Sequence, residues 1–117
     1  MTSSNQVGTA WARDVERYLL RQGFTGAERL AVKHPDRGDI GGLLEWTIEC
    51  KAMTRDTLAE SVDQVRRAQV TTSTPWCVVL KKRKQHQVER GFAVMEIGQW
   101  SRVAALLDRV SVAERSA

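Results

Sequence analysis

Residues 44–52, LEWTIECKA, constrain the fold more than any other stretch of the chain. Successive side chains of a β-strand leave on opposite faces. Here Trp46, Ile48 and Cys50 share one side, and Glu45, Thr47, Glu49 and Lys51 share the other. The next periodic segment, TLAESVDQVRRAQ, opens with a capping-box pattern, Thr57 to Glu60, and sets Leu58, Val62 and Val65 on one helical face. TPWCVVLKK then reads as another strand. The helix between these two strands supplies the crossover of a sheet.

The rest of the chain completes that unit. In TAWARDVERYLLRQGF, Thr9 is a candidate N-cap, Trp11, Val15, Tyr18, Leu19 and Gln22 recur at helical spacing, and Gly23 is a candidate C-cap. AERLAV is a short extended run ending in the loop KHPDRG, after which Asp39 and Ile40 begin a further strand turned by Gly41 and Gly42. GFAVMEI is a strand on the far side of the turn KKRKQHQVERG, and QWSRVAALLDRV is a closing helix. The expected order is α-β-β-β-α-β-β-α, an α/β or mixed α+β sheet with helices packed on it. At 117 residues, 42% of them hydrophobic, the chain is expected to form one domain over 1–117, with 1–7 and 111–117 as flexible ends.

Charge is unevenly distributed. Lys81, Lys82, Arg83, Lys84 and Arg90 stand against the single acid Glu89, and this stretch accounts for the whole net charge of +4. Such a segment is either a polyanion-binding surface or a solvated hairpin tip. Cys50 and Cys77 lie in apolar runs without metal-ligand spacing and read as buried thiols of a reduced, cytoplasmic protein. No stretch has the length or apolarity of a signal peptide or a membrane span. Trp11, Trp46 and Trp76 fall at apolar positions and read as core, and Trp100 opens the last helix as a candidate dimer contact.

The chemistry lies in the polar side of that first strand. Glu49 and Lys51 are two apart and leave the same face. Asp39 sits ten residues upstream, across the two glycines. A symmetrical turn there brings it to Glu45, whereas a bulge or a wider loop brings it to Glu49. An isolated E-x-K is commonly a solvent-side ion pair. Two carboxylates brought together repel unless a cation joins them, and hard oxygen donors suit Mg2+ or Mn2+. A neighbouring lysine can stabilise charge developing on a phosphate, which points to phosphodiester hydrolysis.

GDI followed by IECK resembles the PD-(D/E)xK nuclease core in the form D-x9-E-x-K. The surrounding layout resembles the archaeal-type Holliday junction resolvases and their bacteriophage relatives: Gly8 ahead of the first helix, QGF at its end, the GD loop, the IExK strand and VVLKK. The resemblance implies a restriction-endonuclease-like core and a Mg2+-dependent (or Mn2+-dependent) endonuclease that cuts four-way DNA junctions as a homodimer. It implies metal ligation by Asp39, Glu49 and the backbone carbonyl of Cys50, with Lys51 catalytic. That family also uses an acid on the first helix. The expected position here holds Ala12, so Glu16, one turn on, is the candidate, with Asp14 as the other. A Ser-containing loop of the family is replaced by KHPDR, making Lys33, His34 and Arg37 candidate phosphate contacts. Lys81 matches a lysine of the corresponding strand, Lys82, Arg83 and Lys84 extend a phosphate-binding rim, and Gln64 is a polar residue that the second helix could aim at the site. A nuclease of the same fold acting on nicked, flapped or linear DNA, and a DNA-binding module without a working site, are the alternatives.

Overall fold

The computed structural model describes residues 4–30, 38–52 and 57–116. Three helices and a five-stranded mixed sheet alternate along the chain: α1 (Ser4–Arg21), β1 (Glu28–Arg29), β2 (Ile40–Gly41), β3 (Trp46–Lys51), α2 (Leu58–Thr72), β4 (Trp76–Lys81), a 3-10 turn (Val88–Arg90), β5 (Phe92–Val94) and α3 (Ile97–Ser116). The sheet order is β1-β2-β3-β4-β5. Only β3 and β4 are parallel, aligned from Trp46 beside Trp76 to Lys51 beside Lys81. The other pairs are antiparallel. A parallel neighbour requires a crossover, and α2 provides it.

The ends of the first two helices follow local chemistry. At the end of α1 the Phe24 N–H donates to the Leu19 carbonyl at 3.0 Å and the Gly23 N–H to the Leu20 carbonyl at 3.1 Å. This is the paired closure of a Schellman cap on Gly23. At the start of α2 the Glu60 N–H donates to Thr57 Oγ1 at 3.1 Å and the Thr57 N–H to Glu60 Oε2 at 3.3 Å, completing the capping box.

Both faces of the sheet are covered. One core joins Trp11, Ala12 and Val15 of α1 to Ile40, Ile48, Cys50 and Val78. The other joins Val65 of α2 to Cys77 and Val79. Glu49 is therefore 4% exposed rather than on a solvated face. The expected solvent side of β3 is the underside of α2, because the crossover that makes β4 parallel must lie over one face of the two strands. Trp11 is buried and its Nε1–H donates to the Leu80 carbonyl at 2.9 Å. Trp46 and Trp76 sit side by side across the parallel pair, with ring centroids 6.4 Å apart.

Several boundaries differ from the sequence reading. Helix α1 begins at Ser4, so Thr9 lies inside it and is not its N-cap, and α3 runs through Ser116. The expected flexible ends are thus helical over 4–7 and 111–116, since neither stretch contains a proline to stop a helix. Strand β5 ends at Val94, and Ile97 already belongs to α3. No helix among the described residues is long and apolar enough to cross a membrane.

Candidate active site

The register of β2 against β3 decides whether the carboxylates meet. Ile40 pairs with Ile48, which sets Asp39 opposite Glu49. The Asp39 N–H donates to the Ile48 carbonyl at 2.7 Å, and Asp39 Oδ2 accepts the Cys50 N–H at 2.6 Å. The connection across residues 42–45 is thus the wider loop that brings Asp39 to Glu49, not to Glu45.

Two glycines make that register possible. Gly38 has φ +83°, and a Cβ there would lie 2.6 Å from the Ile48 carbonyl oxygen. Gly42 has φ +88°, and a Cβ there would collide with the Gly26 carbonyl oxygen. Left-handed backbone and close approach of two main chains both select glycine. The Gly-Asp pair is thus one device in which Gly38 lets the chain touch β3 and Asp39 uses the contact.

The resulting group lies at the carboxyl ends of the parallel strands, where open α/β sheets leave a crevice. An open pocket of about 350 Å³ is lined by Asp39, Glu49, Cys50 and Lys51 from the sheet, Thr9 and Ala12 from α1, and Gln64 from α2, with Gly8, Arg29 and Leu30 completing it. Lys51 Nζ donates to Gln64 Oε1 at 2.8 Å, which directs the ammonium into this group. A second cleft, about 180 Å³, lies between Trp11, Tyr18, Leu80 and Phe92 and has Glu89 as its sole carboxylate.

Electrostatically the site is unfavourable to itself. Burial, then the charge of Asp39 and a hydrogen bond to it, push the Glu49 carboxyl up from 4.5 to about 8, with Lys51 opposing. At neutral pH Glu49 therefore holds a proton against Asp39. Burial, followed by the charges of Asp39 and Glu49, also raises the Cys50 thiol, so that sulfur is neither a nucleophile nor a thiolate ligand.

A proton held between two carboxylates occupies a place that a hard cation suits. The Cys50 N–H faces Asp39, and in extended backbone the carbonyl leaves on the same side as the N–H. Two carboxylates and that carbonyl form an all-oxygen donor set that fits Mg2+ or Mn2+. Among the described residues, no group of three or more His, Cys, Asp or Glu side chains is placed to hold a metal ion.

The remaining candidates divide. Glu16 does not line the pocket: its Oε2 accepts the Arg29 N–H at 2.6 Å and anchors the start of the sheet. Asp14 does not line it either, and among the described residues the α1 side chains that do are Thr9 and Ala12. Lys81 is the in-register neighbour of Lys51 and shares its face. Lys82 extends the β3–β4 pairing, its N–H donating to the Lys51 carbonyl at 2.8 Å. Arg83 lies over the Phe92 ring at 5.6 Å, and Lys84 is exposed at the hairpin tip. Lys33, His34 and Arg37 lie outside the described residues. Arg29 is a pocket cation that the sequence reading missed, since its short strand carries no motif. No family model matches this chain, and no curated protein or solved structure matches it.

Proposed function

We propose that this protein is a divalent-cation-dependent DNA endonuclease, acting on four-way junctions as a homodimer. The observation that carries the reading is the convergence of Asp39, Glu49, Lys51 and Gln64 on one open pocket at the carboxyl ends of β3 and β4. Buried carboxylates that repel each other cost stability, and groups held at such cost cluster at functional sites. The basic side chains Lys81, Lys82, Arg83 and Lys84 follow directly on β4 and suit a phosphate backbone.

Asp39, Glu49 and the Cys50 carbonyl would hold the cation, which when bound supplies water activation and charge neutralisation at a phosphate. Asp39 is oriented by the Cys50 N–H and reaches the site without further rearrangement of β2. Lys51, positioned by the Gln64 side-chain oxygen, offers its ammonium to a phosphate oxygen as negative charge builds there. Arg29 and Lys81 add positive charge around the substrate backbone. A junction presents two symmetry-related strands, so paired incisions need two such sites in one assembly.

The test is cleavage of an immobile four-way junction, a flap and a linear duplex in Mg2+ or Mn2+, with Asp39→Asn and Glu49→Ala as controls. Symmetric paired nicks in the junction, lost in both variants, are expected. Preferential cutting of the other DNAs would keep the nuclease and discard the junction. One observation favours a non-catalytic DNA-binding module: α1 presents Ala12 to the pocket while Glu16 faces β1. Salt-sensitive binding with no cation-dependent product from the wild-type chain would establish that reading instead.

A further inference from the structure

Helix α3 is the least buried large element of the chain. Its one buried side chain is Gln99, whose Oε1 accepts the Cys77 N–H at 2.9 Å and whose amide donates to Gln69 Oε1 at 2.9 Å. One turn on, Arg102 lies over the Trp76 ring at 5.7 Å. From Ala105 to Ser116 every side chain except Ser111 is exposed, and the molecule is drawn out to 56 × 28 × 24 Å. That free half is not polar. Leu107 is 63% exposed, Val112 59%, Val110 55% and Leu106 44%, and nearer the helix start Trp100 is 59% and Ile97 81% exposed. A run of apolar side chains left in water along one helix marks a surface for association.

The spacing identifies the partner. Trp100, Val103, Leu107 and Val110 recur at intervals of three, four and three residues, an a/d seam of a coiled coil. We infer that α3 pairs antiparallel with α3 of a second copy, about a two-fold axis level with Ala105. In that arrangement Trp100 meets the other copy's Val110 and Val103 meets its Leu107, and by symmetry the reverse. Each layer then joins a large side chain to a smaller one, and the seam is complementary to itself, as an isologous interface requires. A parallel pair would instead stack Trp100 on Trp100.

The area is adequate for a modest affinity. With an aromatic side chain able to bury about 150–250 Å² and an aliphatic one less, the seam and its flanks offer on the order of 500 Å² per copy. A pair buries on the order of 1,000 Å², the lower limit of specific interfaces. An interface at that limit is expected to be reversible, which sets a wide concentration range for the test. The inference stands on α3 alone and holds whether or not the pocket is catalytic.

Sedimentation equilibrium of the full chain between sub-micromolar and hundreds of micromolar is the test. A monomer–dimer transition is expected in that range. Leu107→Asp should weaken it at least tenfold. Val112→Asp, an apolar-to-acid change at a similarly exposed position of the same helix but off the seam, should leave it unchanged. Circular dichroism will show both variants folded, since each site lies in water in one copy. A monomer throughout the range, or a dimer weakened equally by both variants or by neither, overturns the proposal. The register is read from Trp100→Cys/Val110→Cys, in which a cross-chain disulfide should form under mild oxidation only when both substitutions are present. A crosslink in Trp100→Cys alone indicates the parallel pair and overturns the antiparallel one.

Discussion

Strands β3 and β4 carry a buried polar cluster at each end, and the two are built on opposite terms. At the amino end Thr47, 1% exposed, shares hydroxyl hydrogen bonds with Thr72 at 2.6 Å and Thr74 at 2.5 Å. Beside it Gln99 links the Cys77 N–H to Gln69, and Gln69 Nε2 donates to the Thr74 carbonyl at 2.9 Å. Every group in that cluster is neutral and has a partner. At the carboxyl end, Asp39 and Glu49 face each other with one proton between them and Lys51 alongside, open to a pocket. Satisfied neutral groups hold a fold together, whereas repelling charges beside a cavity cost stability, and groups of that kind cluster at functional sites. The same two strands thus separate a neutral, satisfied end from a charged, repelling one, and the proposed function rests on the second.

The sharpest way to break that contrast is cleavage itself. Asp39→Asn and Glu49→Gln should each lower the rate of cation-dependent cutting by about 100-fold or more, measured on a four-way junction, while both chains still melt cooperatively. Retained cutting by either would remove the functional end from the comparison.

Stability should move in opposite directions at the two ends. Gln99→Leu leaves the Cys77 N–H and the Gln69 amide without their buried partner and should destabilise by about 1–3 kcal/mol, read from urea denaturation. Glu49→Gln should be close to neutral near pH 4.5 and increasingly stabilising as pH rises towards 8 in chelator, by about 1 kcal/mol or more, because it removes the repulsion with Asp39 and keeps a donor. Equal losses from both variants would mean that the carboxylates are as structural as Gln99.

Acidity distinguishes the ends further. The folded chain holds the Glu49 proton up to about pH 8, whereas the unfolded chain releases it near 4.5. The native state thus binds more protons between these values, and the cation-free protein should lose stability as pH rises through that window, by up to about 1.4 kcal/mol per pH unit. Stability due to the protonated pair is complete below 4.5 and gone above 8. Mg2+ should flatten the slope, and Glu49→Gln should abolish it, both read from thermal melts across pH. The smallest expected effect lies outside both clusters. Lys82→Ala or Lys84→Ala should each lower the salt slope of DNA binding by about one counterion without altering the pH dependence.

Much of this was legible in the sequence, for reasons that are local. The cap at Gly23, the capping box at Thr57 and Glu60, and the β3–α2–β4 order depend on neighbours a few residues apart. Glu49 and Lys51 share a face because any strand alternates. Pocket residues Arg29 and Thr9 gave no such signal, since each becomes informative only beside groups distant in the chain. Gln99 likewise reads as an ordinary helix-surface residue until α3 lies against Cys77.

By itself, then, the amino-acid sequence determined the elements, their order and the pairing of an acid with a lysine on one strand face. Tertiary structure decided the rest. It turned the polar face of β3 under α2, made Glu49 rather than Glu45 the neighbour of Asp39 across the glycines, and drew Glu16 to the Arg29 N–H. Register and burial depend on close approach of main chains, as where Gly38 touches Ile48, and that approach is set by packing between segments that no local pattern relates.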